Sequence, residues 1–487
     1  MISCLLVPLL SVLINIRSQS DFDSLQVRLD SVLRAGQPER IEIRFHPGVY
    51  FYREGHITLY DVHSPGTEIA FSGENCTLIA EDNGRGHHLD NNYVDLKLCE
   101  PVDVWSPVRK AGSWPVPVLF RPNEYKIRCQ EPDIPPEQAK DLWVHLTQWF
   151  IAPFYPVVEI RNGWLYFRKD REYETGIWAE LRYGRCLPRY ILCDKPERND
   201  LHACTVSRFL TVSDTRLKGL SMENLRFLGN GEGKSLICFD RFQADSVLVS
   251  ECSFSHIRSH AIQVSYTDHV CIKDCLFSGN YQSCIRVMEG SRNANIQKNR
   301  FIGNGRMMTN VPLVFCRGVD YRIQDNYFED FSYSAIGLGI HFTEEDIYGT
   351  SGIVERNEIC QSEQFRSGVF RSLVDAGAIY IGTNNTRTVV RNNYIHDIDG
   401  PHYNRGIFAD DGPKNVTIEG NTVLRIYNGY CIDLRKCLRV SHLRDTKVPD
   451  PNTGNRISGN IYDGRVRMYI RKDDPTSYVG GNRKVCE

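Results

Sequence analysis

Three aspartates of the C-terminal third of the chain have the residue type and spacing for acid–base chemistry. Asp375 precedes a short apolar strand core, Gly377–Ile381, and Asp410 and Asp411 directly follow a second one, Gly406–Ala409. If the two strands stack on each other, the carboxyl groups come to one place. Cleavage of a glycosidic bond commonly uses two such groups, one as the acid and the other as the nucleophile or base. Asp411 precedes a glycine, so it also fits a turn.

A repeat of variable length predicts that these strands do stack. From Arg216 onward, similar segments recur every 23 to 39 residues. One aligned column reads Leu225, Cys252, Cys275, Asn299, Asn326, Asn357, Asn393, Asn421, Asn460, and two residues later another reads Phe227, Phe254, Phe277, Phe301, Phe328, Ile359, Ile395, Val423, Tyr462. Short strands with a recurrent asparagine are typical of a parallel β-helix, in which each turn lies about 4.8 Å from the next. We therefore predict an all-β, right-handed parallel β-helix.

A second strand in each turn predicts which side chains point outward. Its apolar positions alternate with a column that reads Gln263, Arg286, Phe315, Gly337, Tyr380, Phe408, Asp433. Successive strand residues point to opposite faces, so this column should lie on the outer face. Asp410 and Asp433 would then be one turn and two positions apart, with Cα atoms separated by about 8 Å. The same alignment predicts that Gly377 and Gly406 come into register.

Polar and aromatic side chains near this strand are the candidate substrate-binding residues. They are Tyr380, His402, Arg405, Phe408, Asp433 and Arg435. Insertions in a solenoid usually mark its functional face. The long ones here are Ile340–Ser351, Gln361–Val374, Asp399–Arg405 and Lys436–Asn455. We expect them to form the walls of a cleft over the outer column.

Composition excludes some partners. The chain has 487 residues with 58 basic and 60 acidic side chains, a net charge of −2. This balance does not favour nucleic acid or an anionic membrane surface. The 17 cysteines include no CxxC pair, and Glu344, Glu345 and Asp346 are interpreted as a charged loop rather than a calcium site. We expect a glycan substrate, no cofactor, no metal, no membrane span and a monomer.

The sequence divides into four predicted regions. The apolar start, residues 1–20, is interpreted as a secretory signal, with packing on the domain as the alternative. Residues 21–99 would form a capping helix at 21–36 and the first β-helix turns. Residues 100–196, rich in Pro and Trp, would form an inserted β-rich subdomain, and residues 197–487 the β-helix with the functional face. A secreted or periplasmic protein is expected.

The strands around the aspartates resemble a known family. DAGAIY at Asp375–Tyr380, NYIHD at Asn393–Asp397 and IFADDG at Ile407–Gly412 are similar to motifs of bacterial β-helix proteins around glycoside hydrolase family 141. FHPGVY at Phe45–Tyr50 and PRYILCDKP at Pro188–Pro196 add to the resemblance. It implies a hydrolase of fucose- or xylose-containing glycans whose acidic pair is Asp375 with Asp410 or Asp411. The outer column instead pairs Asp410 with Asp433. The alternative for these two aspartates is that they are solvated surface acids or ion-pair partners of Arg405 and Arg435.

Two other functions stay open on the same scaffold. A polysaccharide lyase or epimerase would need a base beside a neutralised uronate, for which Arg286, Arg317, Arg405 and His402 are candidates. A glycan-binding protein without catalytic activity would need neither a base nor a group that neutralises a uronate. The same scaffold allows this function, because a fold does not by itself determine a function.

Overall fold

A computed structural model describes the chain at residues 11–36, 38–81, 118–121, 124–128, 133–139, 142–147, 154–168, 189–194, 208–230, 234–305, 311–339, 349–367, 376–382, 385–399, 404–410, 412–435, 453–469 and 474–485. Within these ranges most of the chain forms a right-handed parallel β-helix, as predicted. Each turn contributes two strands to a long sheet, sheet A, and one strand to a shorter sheet, sheet B. Three helices lie outside the antiparallel sheet described below: α1 (Gln19–Asp23), α2 (Leu25–Ala35) and α4 (Glu363–Ser367).

Sheet A contains 23 of the described strands. In chain order they are β1 (Ser11–Ile16), β2 (Arg40–Phe45), β3 (Gly48–Tyr52), β5 (His63–Ala80), β13 (Arg216–Leu228), β15 (Ser246–Ser250), β16 (Ser253–Ser255), β18 (Val270–Lys273), β19 (Leu276–Ser278), β21 (Asn295–Gln297), β22 (Arg300–Asn304), β24 (Tyr321–Gln324), β25 (Tyr327–Phe331), β27 (Thr350–Glu355), β28 (Glu358–Cys360), β30 (Asn385–Arg391), β31 (Tyr394–Ile398), β33 (Val416–Glu419), β34 (Thr422–Ile426), β36 (Arg456–Ser458), β37 (Ile461–Tyr462), β39 (Tyr478–Gly480) and β40 (Arg483–Lys484).

Sheet B contains 11 of the described strands and carries the outer column. They are β4 (Ile57–Tyr60), β12 (Leu210–Ser213), β14 (Ile237–Asp240), β17 (Ile262–Ser265), β20 (Ile285–Val287), β23 (Val314–Cys316), β26 (Ile336–Leu338), β29 (Ile379–Ile381), β32 (Arg405–Ala409), β35 (Tyr430–Leu434) and β38 (Arg465–Met468).

The inserted region holds a separate sheet of six described strands, all joined by antiparallel pairings. They are β6 (Val118–Arg121), β7 (Glu124–Arg128), β8 (Leu142–Thr147), β9 (Phe154–Arg161), β10 (Trp164–Arg168) and β11 (Arg189–Asp194), with helix α3 at Pro136–Ala139.

The N-terminal helices cover the first turn of the β-helix. Phe22, Leu25 and Leu29 are fully buried in the continuous core, as the helical spacing predicted. Before them, β1 pairs in parallel with β2, and its residues Ile14 and Ile16 belong to the same core. Part of the segment interpreted as a signal peptide thus forms the first strand of sheet A. This arrangement corresponds to the alternative in which the apolar start packs on the domain.

The bend between the two strands of sheet A is held by a ladder of buried asparagines. The Nδ2 group of each donates to the Oδ1 atom of the next, at 2.8–3.0 Å, from Asn299 to Asn482. Each Nδ2 group also donates to a backbone carbonyl of the preceding turn, as from Asn357 to Ile323 at 2.9 Å. Because both amide atoms are used, the buried polar groups are satisfied. The aromatic column beside it stacks with ring centroids 4.4–5.2 Å apart, from Phe227 to Phe328.

Replacement of a central asparagine of the ladder should lower the free energy of unfolding. Asn357→Ala removes the acceptor of the Asn326 backbone and side-chain amides and the donor to Ile323 and Asn393. We expect the free energy of unfolding to fall by about 3 kcal/mol or more, because buried partners lose their hydrogen bonds. Denaturant unfolding measures it. Asn482→Ala is the matched control at the half-exposed end of the ladder, and equal losses for both variants would contradict this explanation.

Candidate active site

The outer column of sheet B has the predicted register. Tyr380 pairs with Phe408, and Phe408 pairs with Asp433. The preceding members of the column are also in register on consecutive strands, in the order Gln263, Arg286, Phe315, Gly337. The column continues to Arg467 on β38, beyond the last residue that the repeat pattern had identified.

Two glycines let the strands of the site approach closely. A Cβ atom on Gly377 would lie 2.7 Å from Cβ of Phe408, and one on Gly406 would lie 2.3 Å from Cγ1 of Val423. Their predicted register was wrong by one residue. Since Ile379 pairs with Ile407 and the amide of Ala378 donates to the carbonyl of Arg405, Gly406 lies opposite Ala378 rather than Gly377.

Asp410 lies at the end of β32, where its carboxyl group meets a phenol and a guanidinium. Its backbone amide donates to Ile381 of the preceding turn at 2.9 Å. Tyr380 Oη donates to Asp410 Oδ2 at 2.8 Å, and Arg435 Nη1 is 3.7 Å from Oδ1. The Asp410 side chain is 9% exposed. Both contacts stabilise the negatively charged carboxylate.

Asp433 is fully buried and contacts arginines on β32, on β38 and directly after β35. Arg405 Nε donates to its Oδ2 atom at 3.0 Å, and Arg467 Nε donates to Oδ1 at 2.6 Å. Arg435 Nε lies 3.6 Å from Oδ2. The hydrogen bonds to Asp433 raise the pKa of Arg467 above its ordinary value. Asp433 is therefore the centre of an ionic cluster, and its contact with a substrate stays a prediction.

Phe408 packs between charged groups rather than standing open on the surface. Its ring is fully buried, with the Arg405 guanidinium carbon 3.8 Å and that of Arg435 5.2 Å from the centroid. The Tyr380 ring meets it edge to face at 4.9 Å. These cation–π contacts orient both arginines toward the two aspartates.

The structure thus brings together six of the nine predicted site residues: Tyr380, Arg405, Phe408, Asp410, Asp433 and Arg435. Asp375, Asp411 and His402 lie outside the described residues. Sequence reasoning missed Arg467, although the spacing of RVRM at 465–468 to the preceding strand signals one more turn of the same column.

The segment Asn393–Asp397, part of the family resemblance, has structural contacts on sheet A. Asn393 belongs to the asparagine ladder. The Asp397 carboxylate accepts hydrogen bonds from Arg425 Nε at 2.8 Å and Nη2 at 2.7 Å, and His396 Nδ1 lies 2.7 Å from it. The hydrogen bonds from Arg425 and, to a lesser extent, the contact with His396 hold the pKa of Asp397 well below its usual range. These contacts join neighbouring turns.

Within the described ranges, no group of three His, Cys, Asp or Glu side chains is arranged to hold a metal ion. None of the helices in those ranges is long and apolar enough to span a membrane. Nine cysteines whose side chains the structure describes are not bridged, and eight of them are buried.

Comparisons with known proteins agree with the fold. The family model for a right handed beta helix region matches residues 210–360. A solved glycoside hydrolase is similar with a TM-score of 0.56 at 10% identity, over 97% of this chain and 95% of that chain. The mannuronan C-5 epimerase AlgE6 A-module of Azotobacter vinelandii has a TM-score of 0.46 at 12% identity, over 96% of each chain. No curated protein matches the sequence. At these identities the structural likeness establishes the β-helix fold.

Removal of the buried carboxylate should destabilise the site. Asp433→Asn removes the carboxylate charge that the guanidinium of Arg405, which is 1% exposed, meets at 3.0 Å. We expect a loss of about 3–5 kcal/mol in the free energy of unfolding, the usual cost of breaking a buried pair. Chemical denaturation measures this loss.

The control is Asp325→Asn, which breaks an ion pair with Arg356 whose side chains are 33% and 48% exposed. That variant should lose at most about 1 kcal/mol. Similar losses in the two variants would show that the arginine cluster does not depend on Asp433.

Proposed function

We propose that this protein is a glycoside hydrolase in which Asp410 is a catalytic carboxylate. The observation that carries the proposal is the Tyr380–Asp410 hydrogen bond of 2.8 Å, with Arg435 on the opposite carboxylate oxygen. A nearly buried carboxylate that accepts a hydrogen bond from a phenol and lies near a guanidinium suits a nucleophile or a general base. In the first role it would attack the anomeric carbon, and in the second it would take a proton from the attacking water.

The reaction also needs an acid that protonates the leaving oxygen. By resemblance to glycoside hydrolase family 141, Asp375 takes this part in our proposal, and Asp411 is the alternative to Asp410 as its partner. Asp433 is assigned a positioning role, because its oxygens face Arg405 and Arg467. It would fix these arginines and, through Arg435, the orientation of Asp410.

The substrate in this proposal is a polysaccharide or complex glycan that contains fucose or xylose. The protein would act outside the cytoplasm, as a secreted or periplasmic monomer. His402 and Arg435 would help to bind the sugar next to the bond that is cleaved, and the buried Arg405 and Phe408 would position Arg435. The substrate class rests on the resemblance of the sequence motifs to that family, and the binding residues on their predicted place along or beside the outer column.

The direct test is Asp410→Asn on a panel of plant and host glycans. We expect wild-type protein to release reducing sugar, and the variant to lose about a thousandfold or more of that activity, because the carboxylate is removed. Asp240→Asn is the matched control, since Asp240 occupies the equivalent position of β14 on the same sheet. It should keep wild-type activity.

Two results would contradict the proposal. One is equal activity in both variants. The other is glycan binding by the wild type without any product, which would favour a glycan-binding protein that does not catalyse.

A lyase or epimerase is the second candidate, because the described cluster carries more positive than negative charge. Arg405, Arg435 and Arg467 surround Asp410 and Asp433. Such a surplus could neutralise a uronate, after which Tyr380 would act as the base. The Asp410 carboxylate beside Tyr380 argues against Tyr380 as the base, because its negative charge destabilises the negatively charged phenolate form of the tyrosine.

Tyr380→Phe separates the two reactions. Under the hydrolase proposal it removes one hydrogen bond to a charged group, and we expect turnover to fall about ten- to a hundredfold. A lyase would lose all activity in this variant, and its wild type would form an unsaturated product that absorbs ultraviolet light. Reducing sugar and absorbance are measured together.

A further inference from the structure

The outer column of sheet B contains a second basic position, three strands before Tyr380. Arg286 lies on β20, with Gln263 before it on β17 and Phe315 after it on β23. The Arg286 side chain is half-buried, and its guanidinium carbon lies 5.7 Å from the centroid of the Phe315 ring. It therefore stands on the same outer face as the candidate active site.

The hydrogen-bond partner of Arg286 is a neutral histidine. Arg286 Nη1 lies 2.9 Å from His260 Nε2. An arginine can only donate, so His260 Nε2 accepts and its proton is on Nδ1. Burial, together with the charge of Arg286, lowers the pKa of His260 to about 3. The pair consequently carries one positive charge.

Nothing in the described part of the chain neutralises this charge at close range. The nearest acidic influence is Glu289, but its carboxylate is paired with Arg317. No carboxylate of the described residues lies within 4.0 Å of an Arg286 nitrogen. Burial of the guanidinium and the positive charge of Arg317 lower the pKa of Arg286, and the Glu289 carboxylate, which acts in the opposite direction, does not compensate for them. Arginines with this much burial are usually paired.

One buried donor of the pair also lacks an acceptor. Arg286 Nε has no hydrogen-bond partner among the described residues, whereas the Ser283 carbonyl lies close enough to His260 to oppose the fall in its pKa. Unsatisfied buried donors are rare and costly in folded proteins. A half-buried guanidinium with no carboxylate of the described residues within 4.0 Å, held in place by a neutral histidine, is complementary to an anion with several oxygen acceptors.

We propose that Arg286 and His260 form a subsite for an anionic substituent of the glycan, a carboxylate or a sulfate ester. The planar fork of a guanidinium matches either group with two parallel hydrogen bonds. This inference rests on the proposed function in one respect, namely that a glycan lies along the outer face of sheet B.

The distance to the candidate active site sets the size of the ligand. Three strand steps separate Arg286 from Tyr380, or about 14 Å at ~4.8 Å for each step. A short oligosaccharide that runs along the direction of strand stacking covers this span, whereas a single sugar does not. Phe315 and Gly337 lie between the two positions. The anionic sugar would thus lie several units from the sugar that contacts Asp410.

Calorimetric binding to three glycan probes tests the subsite. The probes are an oligoglucuronate, its carboxyl-reduced neutral counterpart, and a sulfated form of that neutral chain. Binding is measured in full-length protein with Asp410→Asn, so the result does not depend on whether Asp410 cleaves the probes. The two charged probes distinguish a carboxylate from a sulfate.

The variants are Arg286→Gln and, as a form that keeps the charge but loses the planar fork, Arg286→Lys. The matched control is Arg322→Gln, an exposed arginine on sheet A. We expect at least one charged probe to bind more tightly than the neutral one. Arg286→Gln should weaken that binding about tenfold or more, and Arg286→Lys should weaken it less. Arg322→Gln should leave that binding unchanged, and none of the variants should alter the affinity for the neutral probe.

Two outcomes would overturn the subsite. One is that neither charged probe binds more tightly than the neutral chain, which includes the case in which none binds at millimolar concentration. The other is equal weakening by Arg286→Gln and Arg322→Gln, which would indicate general attraction by positive charge. A failure of catalysis with an intact charge preference would count against the hydrolase and not against Arg286.

Discussion

Register between successive turns is the constraint on which the site depends. An asparagine at each bend donates to the next asparagine and to a carbonyl of the preceding turn, so a turn cannot slip by one residue without leaving buried amides unpaired. A slip would also move every inward side chain of that strand to the outer face. The ladder runs through the turns that carry Tyr380, Phe408 and Asp433, and so keeps these three residues in one outer column.

This fixed register makes a buried ionic cluster possible. Asp433 loses its contact with water, and this cost is offset only if its oxygens meet donors with good geometry. Arg405 and Arg467 come from the strands before and after it, at a spacing that the sheet itself imposes. The arginines in turn pack on Phe408 and approach Asp410. The backbone therefore determines where the charges lie, and the charges limit how the side chains can move.

The outer column could be predicted from the sequence because strand alternation has a fixed period of two. That period gave the positions of Tyr380, Phe408 and Asp433 and the neighbours Gln263, Arg286 and Phe315, all of which the pairings confirm. The predicted glycine register was wrong by one residue, because the apolar column that pairs Ile379 with Ile407 puts Gly406 opposite Ala378 and not opposite Gly377. The ion pairs of Asp433 with Arg405 and Arg435 were only an alternative, and its burial and its pair with Arg467 were missed, because alternation gives the face of a side chain but not its partners or its burial. The roles of Asp375, Asp411 and His402 stay predictions, because these residues lie outside the described ranges.

In a solenoid, departures from the repeat are more informative than the repeat. The inward columns change little from turn to turn, because each position must fit the same core. The outer column is free of this requirement, yet it contains charged side chains that are partly or wholly buried at two places. At Asp433 the opposite charges are matched within the protein, which suits a rigid support for a reactive group. At Arg286 the charge has no matching carboxylate among the described residues, which suits a position that is completed by a ligand. The difference between these two clusters is a physical reason to assign support to the first and recognition to the second.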